Sequence, residues 1–402
     1  MENVMVLSAV RTPIGKFGGG LAAVPPCDLA ALVVRSAVER AGVRPDEVGH
    51  AVFGNVIHTE ARDMYLARVA AVNGGLPAGT PALTLNRLCG SGLQAIVSAA
   101  QAIALDDCAV AVAGGAESMS RAPYWLAGMR WGQRMNDGVA LDAMTGALTD
   151  PFSDCHMGVT AENVAAEYHV SRSDQDALAA ESHRRAAHAA AAGYFTEQIV
   201  PVSVPSRKGP TVVDADEQIR LGVSLPDMAR LRPAFTPDGT VTAGNAAGIN
   251  DAAAAVVLAS SSFCAGRDLT PLGRLVGYSH AGVEPRIMGM GPVPAVRTLL
   301  ERTGVKVDDI DVFEVNEAFA AQALAVVREL GLPPERVNPN GSGISLGHPI
   351  GATGAILAVK ALHELHRIGG RYALTTMCIG GGQGIAALFE RPLSRLTSQA
   401  NA

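Results

Sequence analysis

Four residues in the 402-residue sequence stand where their side chains could do chemistry. Cys89, in Asn86-Arg87-Leu88-Cys89-Gly90-Ser91-Gly92, follows a predicted strand and opens a predicted helix. A thiol there faces free backbone N–H groups and the positive end of the helix dipole, which favours the thiolate and lowers its pKa. Gly90 and Gly92 let another backbone or a substrate approach closely. His348 lies in Asn340-Gly341-Ser342-Gly343-Ile344-Ser345-Leu346-Gly347-His348-Pro349-Ile350-Gly351, a run that packs little and can present an imidazole at the start of the next helix. Cys378 ends a predicted strand and enters Ile379-Gly380-Gly381-Gly382-Gln383-Gly384. That run fails the spacing of a dinucleotide fingerprint and leads into a strand, so a tight hairpin is its ordinary reading. A functional reading adds the Gly380 N–H as an oxyanion donor beside a second thiol. Asn316 ends the predicted strand 311–315, where a helix N-cap is the ordinary role and is compatible with a catalytic one. His183 and His188 fall on an Ala-rich helix expected to be exposed, without the partners of metal ligands.

A duplicated pattern must position these residues. Glu39-Arg40-Ala41-Gly42-Val43-Arg44-Pro45-Asp46 matches Glu301-Arg302-Thr303-Gly304-Val305-Lys306-Val307-Asp308 at five of eight positions, an offset of 262. The same offset sets Cys89-Gly90-Ser91-Gly92 against Gly351-Ala352-Thr353-Gly354, each opening an apolar helical run. Residues 111–115 resemble 377–381 with a small gap. Three matches in one order predict two copies of a β/α unit facing each other, with His348 beside Cys89. Strands are predicted over 4–10, 82–86 (short and buried), 109–113, 311–315, 372–377 and 385–389, and helices over 28–41, from about 93 onward, and over 353–365. Such alternation predicts an α/β fold with helices on the faces of its sheets. Residues 119–249 match neither copy; they hold Trp125 and Trp131, a helical region over 162–192 and a Pro- and charge-rich stretch over 200–237. Inserted segments of this kind often cover an active site. The predicted division is an N-terminal half of 1–118 plus 250–270, an insert of 119–249 and a C-terminal half of 271–402.

Hydrophobic residues make up 48% and charged ones 17%, which favours a sizeable core over disorder. With 32 basic against 38 acidic residues the net charge is −6, so there is no footprint for nucleic acid. The six cysteines form no CxxC pair, which argues against zinc and a disulfide framework and for reduced thiols in the cytoplasm. Met1-Glu2-Asn3 lacks a basic n-region, so no secretory signal is expected. The charge-free stretch 88–105 approaches membrane-span length but carries Gly90, Ser91, Gln94 and Gln101, and a half-buried helix suits it better than a span. A soluble globular protein is expected.

Together Asn86-Arg87-Leu88-Cys89-Gly90-Ser91-Gly92, Asn316-Glu317-Ala318-Phe319, Gly347-His348-Pro349-Ile350-Gly351 and Cys378-Ile379-Gly380-Gly381-Gly382 resemble the thiolase family, from Ser8 to Phe389. His156-Met157-Gly158 and Val241-Thr242-Ala243-Gly244-Asn245 resemble its bacterial biosynthetic branch, the acetyl-CoA acetyltransferases and β-ketothiolases of polyhydroxyalkanoate synthesis. The resemblance implies a thiolase fold: two similar halves in a layered αβαβα arrangement, with an inserted loop domain carrying most coenzyme A contacts. It also implies a homotetramer, a dimer of dimers. Cys89 would be the nucleophile that accepts an acetyl group from acetyl-CoA, and His348 would take its proton and later help hold the thioester oxygen. Cys378 would deprotonate the second acetyl-CoA, giving acetoacetyl-CoA. The enolate oxygen would fall to His348 with an Asn316-held water, and the tetrahedral oxygen to the N–H groups of Cys89 and Gly380. Two thiols suit a ping-pong scheme, one as nucleophile and one as acid/base.

For coenzyme A the resemblance implies Arg220 near the nucleotide and Leu148, His156, Met157, Met228, Phe235, Ala243, Ala318 and Phe319 along the pantetheine channel. Met288 would lie near the acyl pocket, and Arg207-Lys208 could add positive charge. Ala247 stands where the biosynthetic enzymes commonly have serine, so a hydroxyl contact of about 1 kcal/mol is missing. Leu221 stands where histidine is frequent. The substrates would be acetyl-CoA, CoA and 3-ketoacyl-CoA, with no cofactor and no metal. The alternatives are a degradative 3-ketoacyl-CoA or β-ketoadipyl-CoA thiolase, a ketoacyl synthase-like enzyme, and a non-catalytic acyl-CoA-binding protein on the same fold. The second cysteine with its glycine run speaks against a synthase, and the intact set of four reactive residues against a silent protein.

Overall fold

Runs rich in alanine and valine, which suit strands covered on both faces, build the centre of the molecule. The structure is a computed structural model that describes residues 3–207 and 209–392; Lys208, residues 1–2 and the last ten residues of the predicted C-terminal half lie outside the described residues. The main strands are β1 (Val4–Arg11), β2 (His50–Gly54), β3 (Ala82–Leu85), β4 (Val110–Ser118), β5 (Asn250–Ser260), β6 (Gly273–Gly282), β7 (Val312–Val315), β8 (Tyr372–Ile379) and β9 (Gln383–Glu390). The helices that bear on the site are α1 (Pro26–Ala41), α2 (Ser91–Ala104), α3 (Met157–Glu167), α4 (Arg172–Ala191), α5 (Pro292–Thr303), α6 (Ala320–Leu330) and α7 (Thr353–Ile368).

The sequence offset reappears in the elements. β2 and β7 start at 50 and 312, α2 and α7 at 91 and 353, β4 and β8 at 110 and 372, so each pair is 262 apart. Gly42 and Gly304, matched in the repeat, end α1 and α5 with φ of 67° and 69°. That left-handed cap is why glycine is needed at both. The sheet order is β3-β2-β4-β5-β1-β6-β9-β8-β7, with the two-residue strand Gly15–Lys16 on β5 as the tenth member. β2 runs parallel to β3 and β4, and β7 parallel to β8; the other neighbours are antiparallel. The two expected sheets are thus joined into one path, where Val4, Met5 and Val6 pair with Leu275, Arg274 and Gly273. The counterpart of β3 is reduced to a single parallel bridge between Val337 and Phe313.

Packing gives five layers. Leu93 and Ile96 of α2 share a core with Ile356 and Leu357 of α7, between the inner faces of the two sheet halves. α1 covers the outer face of one half and α5 with α6 that of the other. The central helices cross through their glycines. A Cβ on Gly92 would meet the Ala355 nitrogen at 2.7 Å, and one on Gly354 the Leu93 nitrogen at 2.4 Å.

Three expectations change. α2 is buried around nearly its whole circumference because a helix covers the side assumed to face water. β3 is half-exposed, with Leu83 44% exposed, because it is the edge of the sheet. The helical region over 162–192 is two helices broken at Tyr168–Ser171, where His169 takes a φ of 53°. Among the described residues no helix is long and apolar enough to cross a membrane.

Candidate active site

Each central helix begins on a turn that presents a reactive side chain. Before α2, Leu88 has a φ of 45°, a left-handed conformation that non-glycine residues seldom adopt. Ser91 Oγ holds this turn by accepting the Arg87 N–H at 2.8 Å and donating to the Leu88 carbonyl at 2.6 Å. The Asn86 side-chain oxygen accepts the Leu88 N–H at 2.8 Å. Cys89 is thereby half-buried, its sulfur within reach of its own N–H and that of Gly380. The expected fall in its pKa does not occur. Burial pushes the thiol up to about 11 against the pull of those two N–H groups, and the Glu117 charge adds to the rise. Desolvation of the thiolate outweighs the helix dipole here.

His348 precedes α7, and its backbone N–H donates to Asn250 Oδ1 at 3.0 Å. Its Nδ1 lies 2.7 Å from Thr353 Oγ1. Burial drives the imidazole pKa down to about 4, so the ring is neutral at pH 7. Asn316 follows β7 but is no N-cap, since α6 starts at Ala320 behind Phe319. Its amide nitrogen instead sits 3.4 Å from His348 Nε2, and its Oδ1 is buried without a partner among the described residues. Cys378, 1% exposed near the end of β8, has its thiol pushed up by burial and by the neighbouring Cys89.

These elements enclose a cavity of about 230 Å³. Cys89, His348, Cys378 and Gly380 line it, and fully buried Asn316 stands behind the imidazole. The insert supplies Leu148, His156, Met157, Phe235 and Ala247, and the C-terminal half Met288, Ala318 and Phe319. The Phe235 ring stacks on His156 at 4.7 Å and meets Phe319 edge-on at 6.0 Å. Arg220, Met228 and Ala243 are not brought to this wall. Arg220 and Ala243 are exposed, and Met228 belongs to a separate cluster with Ala179, Ala320 and Ile344.

Sequence reasoning missed several participants. Met119 and Ile350 close the apolar wall, one from each side of the repeat. Glu117 is fully buried, and its carboxylate accepts the N–H groups of Val56, Ile57 and Gly351 and the Asn55 amide, all at 2.9–3.1 Å. It therefore ties the β2 loop to the His348 loop, while burial pushes its pKa up to about 8. An acidic residue at the end of an otherwise apolar strand was the available signal. His183, expected on an exposed face, is 3% exposed; its Nδ1 accepts the Arg220 N–H at 3.2 Å, and burial takes its pKa down to about 4. His188 is exposed as expected.

A nucleophilic thiol, a neutral imidazole, a second thiol and convergent N–H groups in a largely apolar-walled cavity can carry out acyl transfer through a covalent thioester. Residues 4–262 match the family "Thiolase, N-terminal domain", and residues 269–391 "Thiolase, C-terminal domain". The chain is 65% identical over 391 residues to Beta-ketothiolase BktB of Cupriavidus necator, covering 97% of this chain and 99% of that protein. It superposes on the crystal structure of the Bacillus anthracis acetyl-CoA acetyltransferase with a TM-score of 0.96, at 46% identity, over 98% and 99% of the two chains. Human mitochondrial 3-ketoacyl-CoA thiolase in complex with CoA gives a TM-score of 0.94 at 42% identity, over 97% and 98%. Since the matches take in both halves of the repeat and the insert between them, the chain belongs to the thiolase family.

Proposed function

We propose that the protein is a β-ketothiolase, an acyltransferase that condenses two short acyl-CoA molecules and cleaves the 3-ketoacyl-CoA product in reverse. The observation that carries this reading is the convergence of Cys89, Cys378 and His348, from both halves of the repeat, on one cavity, with Asn316 behind the imidazole. The Cys89 thiol gives its proton to His348 Nε2 as the sulfur attacks the thioester carbonyl. The carbonyl oxygen is held by the N–H groups of Cys89 and Gly380. As the C–S bond breaks, the CoA sulfur takes the Cys378 proton and leaves as the thiol. A buried Cys378 suits both tasks: it is protonated at rest, and once ionised it is a strong base. It then takes an α-proton from the second acyl-CoA, whose carbanion attacks the acyl group on Cys89. The enolate oxygen falls to His348 and a water held at the unpartnered Asn316 Oδ1. Cys89 leaves as thiolate and recovers its proton from His348, so the site returns to its starting state.

Leu148, His156, Met157, Phe235 and Ala247, from an insert of 119–249 that binds CoA, and Ala318 and Phe319, from the C-terminal half, are the proposed walls of the pantetheine arm. Met288 is proposed at the acyl end, and Arg220 and Ala243, outside the cavity, nearer the nucleotide end. Met228 is proposed only to support the Gly244 turn, where its sulfur lies 3.0 Å from a Cβ built there. A cytoplasmic homotetramer belongs to the same proposal. All six cysteines are unpaired, and exposed Tyr124, Trp125, Leu126 and Trp131 offer apolar surface for copies to bury.

The test is CoA-dependent cleavage of 3-ketoacyl-CoA substrates from C4 upward, with Cys89→Ala and Cys378→Ala as controls. C4 cleavage lost in both variants is the expected result. Marked preference for long chains would favour the degradative reading, and no cleavage at all would end the proposal.

A further inference from the structure

Two equivalent hydroxyls begin the central helices and are used differently. Ser91 and Thr353 are each the first residue of their helix, 262 positions apart. Ser91 Oγ donates its proton to the Leu88 carbonyl and accepts the Arg87 N–H. Thr353 Oγ1 likewise donates to a carbonyl, that of Pro349 at 2.9 Å. By the repeat, Pro349 is the counterpart of Arg87, and proline has no N–H to give. The acceptor site that Arg87 fills in one half is therefore vacant in the other, and His348 Nδ1 lies 2.7 Å from it.

We propose that Thr353 is a positioning residue for His348: by accepting Nδ1–H it fixes the tautomer whose bare Nε2 receives the Cys89 proton, and Pro349 frees the hydroxyl for that task. This rests on the thiolase reading of the site. A hydroxyl whose one proton is engaged elsewhere can only accept. A neutral imidazole beside such an acceptor carries its proton on Nδ1, leaving the lone pair on Nε2. Among the described residues the ring's hydrogen-bond partners are Thr353 and Asn316, neither of them a carboxylate, so the third member of the relay is a neutral hydroxyl. No proton moves to Thr353; the Cys89 proton goes to Nε2 and returns, while the Nδ1–H bond persists.

Three variants test this: Thr353→Val, which keeps shape without the hydroxyl, Thr353→Ser, which keeps the hydroxyl, and Pro349→Ala, which restores a competing N–H. Thr353→Val is expected to lower kcat by about 100-fold, the lower end of what general-base catalysis contributes. KM should stay within about twofold, because the cavity wall is unchanged. Thr353→Ser should restore most of kcat. Pro349→Ala should lower kcat alone but add nothing to Thr353→Val, since both act on one bond. The rate of Cys89 alkylation by iodoacetamide should follow the same order, and it needs no CoA substrate. Parental kcat and alkylation in Thr353→Val, equal damage in the serine variant, or additive losses with Pro349→Ala would each overturn the proposal. If Thr353→Val does not fold, the serine and Pro349 variants carry the decision. A parent without thiolysis but with Thr353-dependent alkylation would sink the thiolase reading and leave the positioning role standing.

Discussion

Cys89, His348 and Cys378 are uncharged at rest, and burial is the common reason. The Cys89 thiol is pushed up to about 11, the His348 imidazole down to about 4, and the Cys378 thiol well above its ordinary range. The base works only when neutral, so activity is lost as pH falls through about 4, and kcat/KM for thiolysis should show no limb near 6.5, the ordinary imidazole value. An acid limb centred there would mean that His348 is hydrated. Glu117 offers a second check, because it receives four donors and its charge raises the Cys89 pKa. Glu117→Gln sets an amide N–H against those donors, an expected loss of about 2 kcal/mol in denaturant unfolding. The same variant should lower the midpoint of Cys89 alkylation against pH. An unchanged midpoint would remove Glu117 from the electrostatics of the site.

At the scale of elements, the site depends on how closely the helices approach one another. α2 and α7 cross glycine to backbone, so a methyl group on Gly354 collides with the Leu93 nitrogen, which cannot rotate away. Gly354→Ala is expected to cost about 1–3 kcal/mol and to lower Tm, as overpacking does. Gly79→Ala, where no described residue lies within 4 Å of the added methyl, should leave Tm nearly unchanged. Parental Tm in Gly354→Ala would show that the two halves can slide apart without cost. In α3, a Cβ on Gly158 would stand 2.3 Å from the Phe235 ring, which is stacked on His156 over the cavity. Gly158→Ala should therefore displace Phe235 and raise KM for acyl-CoA several-fold, with kcat changed much less. A fall in kcat at constant KM would instead place Phe235 in the chemistry.

For the molecule as a whole, two deeply buried histidines set part of the acid stability. His183 joins α4 to the Arg220 backbone, His348 joins the two halves of the repeat, and both have pKa values lowered to about 4 by burial. Below pH 6.5 the unfolded chain binds protons that these groups refuse when folded. Their presence therefore removes stability as pH falls from about 6.5 to about 4. Burial of Glu117 and Glu314 acts with the opposite sign, raising them to about 8 and about 7, but it is common to parent and variant. His183→Gln should lose stability at pH 7.5, with the deficit shrinking at pH 5. Thermal unfolding at both pH values measures it, and an equal deficit at each would show that His183 takes up its proton without unfolding.

Much of this protein is fixed by local sequence. The 262-residue offset in eight residues of text foretells the starts of three pairs of elements, because each copy folds by the same hydrophobic period and the same glycine caps. Cys89, His348 and Cys378 are legible because strand ends and glycine-rich turns are local features. What the sequence could not settle depends on neighbours far along the chain. Whether Cys89 is acidic or basic turns on desolvation by the opposite half, whether His183 is exposed turns on what covers α4, and Asn316 becomes a partner of His348 only when β7 and the loop before α7 meet. The same holds for Glu117 and Thr353, ordinary in the sequence until the fold brings a carboxylate to three backbone donors and a hydroxyl to an imidazole. Local periodicity determines which elements form and where they end. Burial and hydrogen-bond partnership, which set protonation and tautomer, are properties of the assembled layers alone.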